Sequence, residues 1–341
     1  MKSTHLNYIG SKHTLLEWLS SQILQTTGWE SFQDKHIGDL FSGTGVVSFH
    51  FRCQGSIVSS NDIELCSYIV TKAMTECCFT LAAKEFLETM NNDISEDKHT
   101  TVGFITRQYS PFEGCERMFF TVDNAKRIDY VRRCIETASL NESEKVFALA
   151  SLLVSADSIA NCTSVYGAYL KKFKRVAEKP FVLRPIHTCE IQSQGTCFNE
   201  NILNPEFLRS LDIDLLYLDP PYNERQYSKN YFPLSVLAMR PDQQDSLVLS
   251  GKTGIPGNCF NSPFCSKKTV LESFETVLTN TKAKWTFISY NSESLLDKNS
   301  LLNLLQKYGK AKLVEKSYKR FQSQKEEKQE IKEYLFSLER Q

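Results

Sequence analysis

Apolar residues in the stretch HTLLEWLSSQILQ (13–25) fall at Leu15, Leu16, Leu19 and Ile23, the spacing of one helix face. The pattern then shortens. HIGDLF reads as a strand running into SGTG, VVSFHFRCQ as a helix, SIVSSNDIE as a second strand ending in acid, and LCSYIVTKAMTECC as another helix. Strand–helix–strand–helix order predicts a parallel sheet with helices packed on it. After about Thr80 helical patterns dominate: NAKRIDYVRRCIETA and ESEKVFALASLLVSADSIAN are amphipathic, and DISEDKHTT ahead of them is polar and reads as a loop. Strand patterns return with DIDLLYLDPPY, KAKWTFISYN and EYLFSLE. The expected organisation is a discontinuous α/β domain (1–80 and 185–341) carrying a mostly helical insert (81–184). The run KSYKRFQSQKEEKQEIKE is charged and reads as a solvated hairpin or loop.

Composition narrows the class of partner. The 341 residues are 41% hydrophobic, enough for a sizeable core, and 40 basic side chains balance 40 acidic ones. Zero net charge argues against a histone-like coat for polyanions but leaves room for a local basic face on nucleic acid. No apolar run is long enough to cross a bilayer, and the start MKSTHLNYIGSK has no signal-peptide core. Eleven cysteines without a single CxxC pair read as reduced thiols in the cytoplasm, neither zinc ligands nor disulfides. His5, His13 and His36 lie at no metal-ligand spacing, so no metal is expected.

Two motifs carry chemistry. In DLFSGTGVV, Asp39 ends a strand, Gly43 and Gly45 make the turn, and a helix follows. The third glycine of a dinucleotide fingerprint is replaced by Ser48, which disfavours a pyrophosphate-bearing cofactor. The second strand ends at Asn61-Asp62, where an acid can accept both ribose hydroxyls. The pair fits a nucleoside cofactor without a pyrophosphate, such as S-adenosylmethionine; a plain strand–turn–helix with a capping aspartate is the bland alternative.

The second motif, LLYLDPPYNERQY, starts as a buried strand and ends in a turn no strand could continue. Proline fixes φ and lacks an N–H, so Pro220-Pro221 make a rigid turn. Such a turn can aim the Asp219 carboxylate and a backbone carbonyl at one point. Two convergent acceptors suit an exocyclic amine, which has two hydrogens to donate. Tyr222 would then stack on the ring that carries the amine. The bland alternative is a proline-terminated edge strand with a core tyrosine.

With these residues in view, the sequence resembles the D12-class, Dam-like adenine-specific DNA methyltransferases of the restriction–modification type. NYIGSK is similar to the family's first motif, DLFSGTG to its cofactor loop, SNDIE to its ribose acid and DLLYLDPPYNERQYSKNY to its catalytic motif. ISYN, EKQEIKEYLF, ERMFFTVDNAKRIDYVR and IANCTSVYGAYLKKFK also match family blocks. The resemblance implies a Rossmann-like methyltransferase sheet with a helical DNA-recognition insert. It implies methyl transfer from S-adenosylmethionine to N6 of a flipped-out adenine in double-stranded DNA, beside a cognate restriction endonuclease. Carried over by position, Tyr8 and Lys12 would border the methionine end of the cofactor with Asp39, Phe41 and the Gly43–Gly45 backbone. Asp62 would bind the ribose, and Asp219, Pro220, Pro221 and Tyr222 would hold the adenine. Where the family usually has aspartate against the cofactor's adenine, this chain has Asn201, which can accept a hydrogen bond and also donate one.

DNA contacts are expected from the insert and from the tail of the catalytic motif. Lys126, Arg127, Lys171, Lys172 and Lys174 suit phosphates, Asn161 and Thr163 suit base edges, Tyr166 belongs to an aromatic–basic stretch, and Arg225 and Tyr227 follow the catalytic turn. The loop LSGKTGIPGNCFNSPFCSKK (249–268) reads as mobile. Three rival readings stay open: an N4-cytosine DNA methyltransferase, an enzyme acting on RNA adenine or on a protein glutamine amide, and a non-catalytic DNA-binding module of the same fold.

Overall fold

The computed structural model describes residues 6–99, 101–188, 195–319 and 330–340. Its seven-stranded sheet contains β1 (His36–Asp39), β2 (Ile57–Asn61), β3 (Gly195–Phe198), β4 (Leu215–Leu218), β7 (Trp285–Asn291), β8 (Gly309–Lys319) and β9 (Glu330–Arg340), in the order β3-β2-β1-β4-β7-β9-β8. A small separate hairpin pairs β5 (Leu249–Ser250) with β6 (Ile255–Pro256). The first five strands of the large sheet run parallel, whereas β9 is antiparallel to both β7 and β8. This is a mostly parallel, Rossmann-like α/β sheet.

Both faces of the sheet are buried, which is why its central strands are nearly continuous apolar runs. On one face Ile37, Tyr217, Phe287 and Leu335 pack with Leu19, Ile23, Val47 and Phe51 from the helices Leu16–Thr27 and Val46–Cys53. On the other, Leu216, Leu218, Ile288 and Phe336 pack with Phe207, Phe274, Leu278 and Leu301. Residues of alternate parity on one strand therefore fall into different cores, as the pleat requires.

The segment 81–184 holds the helices Leu81–Ser95, Phe104–Tyr109, Val122–Thr137 and Glu142–Asp157, followed by an irregular stretch from about residue 158. Helix Leu81–Ser95 takes in the start of the stretch read as a loop. Helix Glu142–Asp157 is set by a capping box, in which the Asn141 side chain accepts from Glu144 N–H and the Glu144 carboxylate from Asn141 N–H. It is buried almost all round, in one core with Val70 and Met74 of helix Leu65–Glu76 and with Phe232 and Leu234. The segment 81–184 thus shares a core with residues on either side of it in the sequence.

Two strands escaped the hydrophobic pattern. β3 is a four-residue edge strand, and β8 is a lysine-rich edge in which Lys310, Lys312 and Lys316 alternate with Ala311 and Leu313. Charged edges block unwanted strand pairing, and they also mask the strand signal. The charged run expected to be a hairpin or loop is in part the paired ends of β8 and β9; residues 320–329 lie outside the described residues.

Candidate active site

The carboxyl ends of β1, β2 and β4 open into a cleft of about 780 Å3. In parallel sheets ligands bind at this edge. The cleft wall includes Tyr8, Gly10, Lys12, Phe41, Gly43, Asp62, Asp219, Pro220, Pro221 and Tyr227, so residues 219 positions apart in sequence meet in one cavity. A smaller adjoining pocket of about 300 Å3 shares Phe41, Ile63, Phe260 and Ser262 with it and includes Asn201.

The glycine loop is shaped by its backbone. Gly45 N–H donates to Ser42 O (2.7 Å), closing a tight turn, with φ of +52° at Gly43 and +75° at Gly45. Both angles lie where side-chain-bearing residues are strained. A Cβ at Gly45 would also sit 3.0 Å from Thr71 Oγ1, so this turn has room only for glycine. Gly43 N–H and Glu64 N–H donate to the two oxygens of Asp62, at 2.8 and 2.9 Å. A carboxylate fixed this way keeps further lone pairs for a ligand. Burial lifts the Asp62 carboxyl to about 6 against those two hydrogen bonds, and lifts neighbouring Glu64 to about 8 with help from the Asp62 charge.

Asp39 sits differently from expectation. It is 1% exposed and is absent from the cleft wall; its Oδ2 accepts from Ser48 Oγ at 2.6 Å, and its buried Oδ1 has no partner within the protein. Burial first, then the Asp219 and Asp62 charges, push its carboxyl to about 7. Asn201 is exposed and accepts from Leu203 N–H at 3.0 Å, at the rim of the smaller pocket. The orphaned Asp39 oxygen under the loop, the Asp62 acceptors and the loop's bare backbone fit a cationic nucleoside such as S-adenosylmethionine.

The Asp-Pro-Pro-Tyr turn is held by contacts at both Tyr222 and Asp219. Tyr222 O accepts from Leu295 N–H at 3.0 Å, and the Tyr222 ring stands edge-on to Tyr290 with centroids 5.6 Å apart. The Tyr222 hydroxyl donates to Asp219 Oδ1. Lys12, whose side chain is 4% exposed, places Nζ 3.0 Å from Asp219 Oδ2 and also reaches the Tyr222 hydroxyl. Burial lifts the Asp219 carboxyl above its ordinary range, although the Lys12 ammonium and the Tyr222 hydrogen bond both oppose the shift. Lys12 is thus tied to the Asp219 carboxylate, where the sequence placed it at the methionine end of the cofactor. The Tyr222 hydroxyl, to which the sequence gave no role, is engaged as well.

Behind the turn three tyrosines form a stack. Tyr8 lies 4.2 Å from Tyr231 at 17° between planes, and 5.2 Å from Tyr227. Tyr231 and Tyr227 grip Ile9: its N–H donates to Tyr231 Oη at 2.8 Å, and the Tyr227 hydroxyl donates to its carbonyl at 3.3 Å. Tyr227, expected against DNA, belongs to the cleft wall. The loop around Phe260 is anchored rather than loose: Ser228 Oγ donates to Phe260 O, Ser262 N–H donates to Gln226 Oε1, and Phe264 is 1% exposed.

Several expected DNA contacts are internal. Asn161 is fully buried; its Nδ2 donates to the carbonyls of Met118, Leu170 and Lys172 and its Oδ1 accepts from Lys174 N–H, so it organises the irregular loop and faces no base. Tyr166 is fully buried, with its hydroxyl donating to Asp157 Oδ1 at 2.7 Å. The other Asp157 oxygen accepts from Asn7 N–H, which pins the N-terminal loop. Lys174 Nζ donates to Cys162 O. Arg127 pairs with Asp123 at 2.8 Å, and Lys126 is half-buried 5.9 Å from the centre of the Phe112 ring. Thr163, Lys171, Lys172 and Arg225 are exposed. Glu64, Phe260 and Ser262 line the cleft without having been expected there; for Glu64 the signal was the second acid of NDIE. Among the described residues no group of three His, Cys, Asp or Glu could hold a metal ion, and no helix is long and apolar enough to cross a membrane.

Comparison with known proteins agrees with this geometry. Type II methyltransferase M.CviAII of Paramecium bursaria Chlorella virus 1 is 38% identical over 334 residues, covering 97% of each chain. Type II methyltransferase M.NlaIII of Neisseria lactamica is 37% identical, covering 98% of this chain and 99% of that one. The family model for D12 class N6 adenine-specific DNA methyltransferases matches residues 8–301, a span that takes in the Tyr8 stack, the glycine loop and the Asp-Pro-Pro-Tyr turn. Sequence relationship and cleft geometry meet on the same residues, and the chain belongs to the D12 class of N6 adenine-specific DNA methyltransferases.

Proposed function

We propose that this chain transfers a methyl group from S-adenosylmethionine to N6 of an adenine extruded from double-stranded DNA. The methylation would protect DNA in the cytoplasm against a cognate restriction endonuclease, with 81–184 as the target-recognition insert. The observation that carries the reading is the Asp219 carboxylate, 15% exposed on a rigid proline turn, in one cleft with the glycine loop and Asp62. When bound, S-adenosylmethionine supplies an electrophilic methyl group on a positively charged sulfur. Asp219 and the Pro220 carbonyl would each accept one hydrogen of the amine. Holding both draws the nitrogen lone pair out of ring conjugation and aims it at the methyl carbon. The protein's contribution is therefore mainly orientation and acceptor geometry. Asp219 does not have to remove a proton first, because the amine becomes acidic only on methylation. The test is tritium transfer from labelled S-adenosylmethionine into unmethylated duplex DNA, with RNA and protein as comparators; label entering RNA or protein but not DNA contradicts the reading.

Asp62→Ala should weaken cofactor binding roughly tenfold to a hundredfold, the effect of losing a charged hydrogen bond of about 1.5–3 kcal/mol. The pH dependence has a definite sign. Ribose hydroxyls and a cationic sulfur both favour ionised Asp62, so binding lowers its pKa from the free value of about 6. Affinity should then rise with pH up to about 6 and level off above it as far as Asp62 is concerned. Calorimetric titration across this range checks the slope, which Asp62→Asn should remove.

Lys171 and Lys172 are the exposed lysines of the insert's basic stretch. Replacing both with glutamine should weaken DNA binding for all sequences alike and flatten the log–log salt dependence by about two units, since each phosphate contact contributes about one. An unchanged slope would make them a solvated face.

A further inference from the structure

The catalytic carboxylate is already engaged on both oxygens. Lys12 Nζ is 3.0 Å from Oδ2, and the Tyr222 hydroxyl donates to Oδ1. A target amine that is to donate to Asp219 must therefore share or displace one of these donors. Tyr222 can turn its hydroxyl away at little cost. Lys12 is more constrained, because its ammonium is buried and its other contacts are the Gly10 carbonyl at 3.1 Å and the Tyr222 hydroxyl. A buried cation that loses its counter-charge needs another.

One group meets that need. Glu333 is 8% exposed, and its buried Oε2 has no hydrogen-bond partner in the protein. Its position follows from the strand register. Glu333 pairs with Asn291 of β7, and β7 pairs with β4 through Ile288 and Leu218, the residue before Asp219. Both acids thus stand at the same edge of the sheet. They also stand on the same face. Tyr217 and Leu335 lie in one core with the helix that follows Lys12, and Asp219 and Glu333 are each two residues from one of them. The Glu333 carboxyl is lifted first by burial, with the Lys12 ammonium opposing the shift and the Asp219 charge adding to it, so its field reaches both groups. A buried, unpartnered acid is costly to keep and calls for a functional reason.

We propose that Lys12 is a two-position latch, paired with Asp219 before the target base arrives and handed to Glu333 when the amine takes its place. Glu333 is then a positioning residue: it acts on the base only through Lys12. The idea rests on the methyltransferase reading above. It explains why one ammonium has two carboxylates within its field, and why the second of them has an oxygen satisfied by nothing around it.

The test uses the full-length protein, single-turnover tritium transfer from S-adenosylmethionine into unmethylated duplex DNA, and thermal melting. Glu333→Gln keeps the shape and removes the charge. The expected result is a loss of at least about tenfold in the transfer rate, with an unchanged dissociation constant for S-adenosylmethionine and a melting temperature equal to or above that of the wild type. Glu333→Asp, which keeps the charge, should transfer faster than the glutamine variant. In a Lys12→Met background, Glu333→Gln should have no further effect, because no ammonium is left to relocate. The latch is overturned by a glutamine variant as fast as an active wild type. It is equally overturned by rate and melting temperature falling together, by a matching loss of cofactor affinity, or by the same fold-loss in the Lys12→Met background. A wild type that transfers no methyl to DNA overturns the methyltransferase reading itself.

Discussion

Asp219→Asn is expected to lower the methyl-transfer rate by roughly a thousandfold or more, the upper range for removing one preorganised polar group from an active site. The side chain keeps its shape but replaces an acceptor oxygen with a donor that repels the amine hydrogen it should hold. It also deprives the buried Lys12 ammonium of the carboxylate 3.0 Å away. Breaking a buried pair costs about 3–5 kcal/mol, so melting curves belong beside the activity data, and asparagine is a fairer probe than alanine. Cofactor affinity should hardly change, because the Asp62 and glycine-loop contacts lie elsewhere in the cleft. Calorimetric titration with S-adenosylmethionine and a tritium-transfer assay on the same preparation separate the two effects. Near-wild-type transfer would remove Asp219 from the mechanism.

The second large effect concerns Tyr222. Stacking of a base on an aromatic ring is worth about 1–3 kcal/mol, so Tyr222→Ala should cost roughly tenfold to a hundredfold in kcat/KM. Tyr222→Trp keeps a flat surface and should fall between alanine and wild type. Tyr222→Phe keeps the ring in its place against Tyr290 but loses the hydroxyl that bonds Asp219 and meets Lys12. If that hydroxyl serves mainly to hold the carboxylate before the base arrives, phenylalanine should be the mildest of the three. Steady-state kinetics on one duplex substrate rank them. A phenylalanine variant as damaged as alanine would show that the hydroxyl, and not the ring, does the catalytic work.

Much of the site was legible because its signals are local and rigid. The glycine loop needs left-handed backbone at Gly43 and Gly45, and few residues other than glycine adopt it readily. The Asp-Pro-Pro-Tyr turn follows a strand whose four residues are all buried, and apolar β-forming runs bounded by prolines are readable in one dimension. Parallel topology then brings the two motifs to one edge. The rest depended on what each polar group meets in space. Asn161 and Lys174 have the composition of DNA contacts, yet they satisfy carbonyls of an irregular loop that has no ladder of its own. Tyr166 stands in a basic, aromatic stretch but closes the Asp157 clamp on the N-terminal loop. Glu333 lies in a strand, β9, recognised from its apolar residues alone, and its pairing with β7 is what brings it to the edge where Asp219 stands. Long-range register of this kind leaves no trace in local periodicity.

The identity of the methylated atom defines the reaction. Unmethylated duplex DNA incubated with the purified chain and isotopically labelled S-adenosylmethionine, then digested to nucleosides and resolved by mass spectrometry, gives that identity directly. Label is expected in N6-methyl-2′-deoxyadenosine, and none there when Asp219→Asn replaces the wild type. Label in N4-methyl-2′-deoxycytidine, or no labelled nucleoside from a folded, cofactor-binding protein, would contradict this expectation.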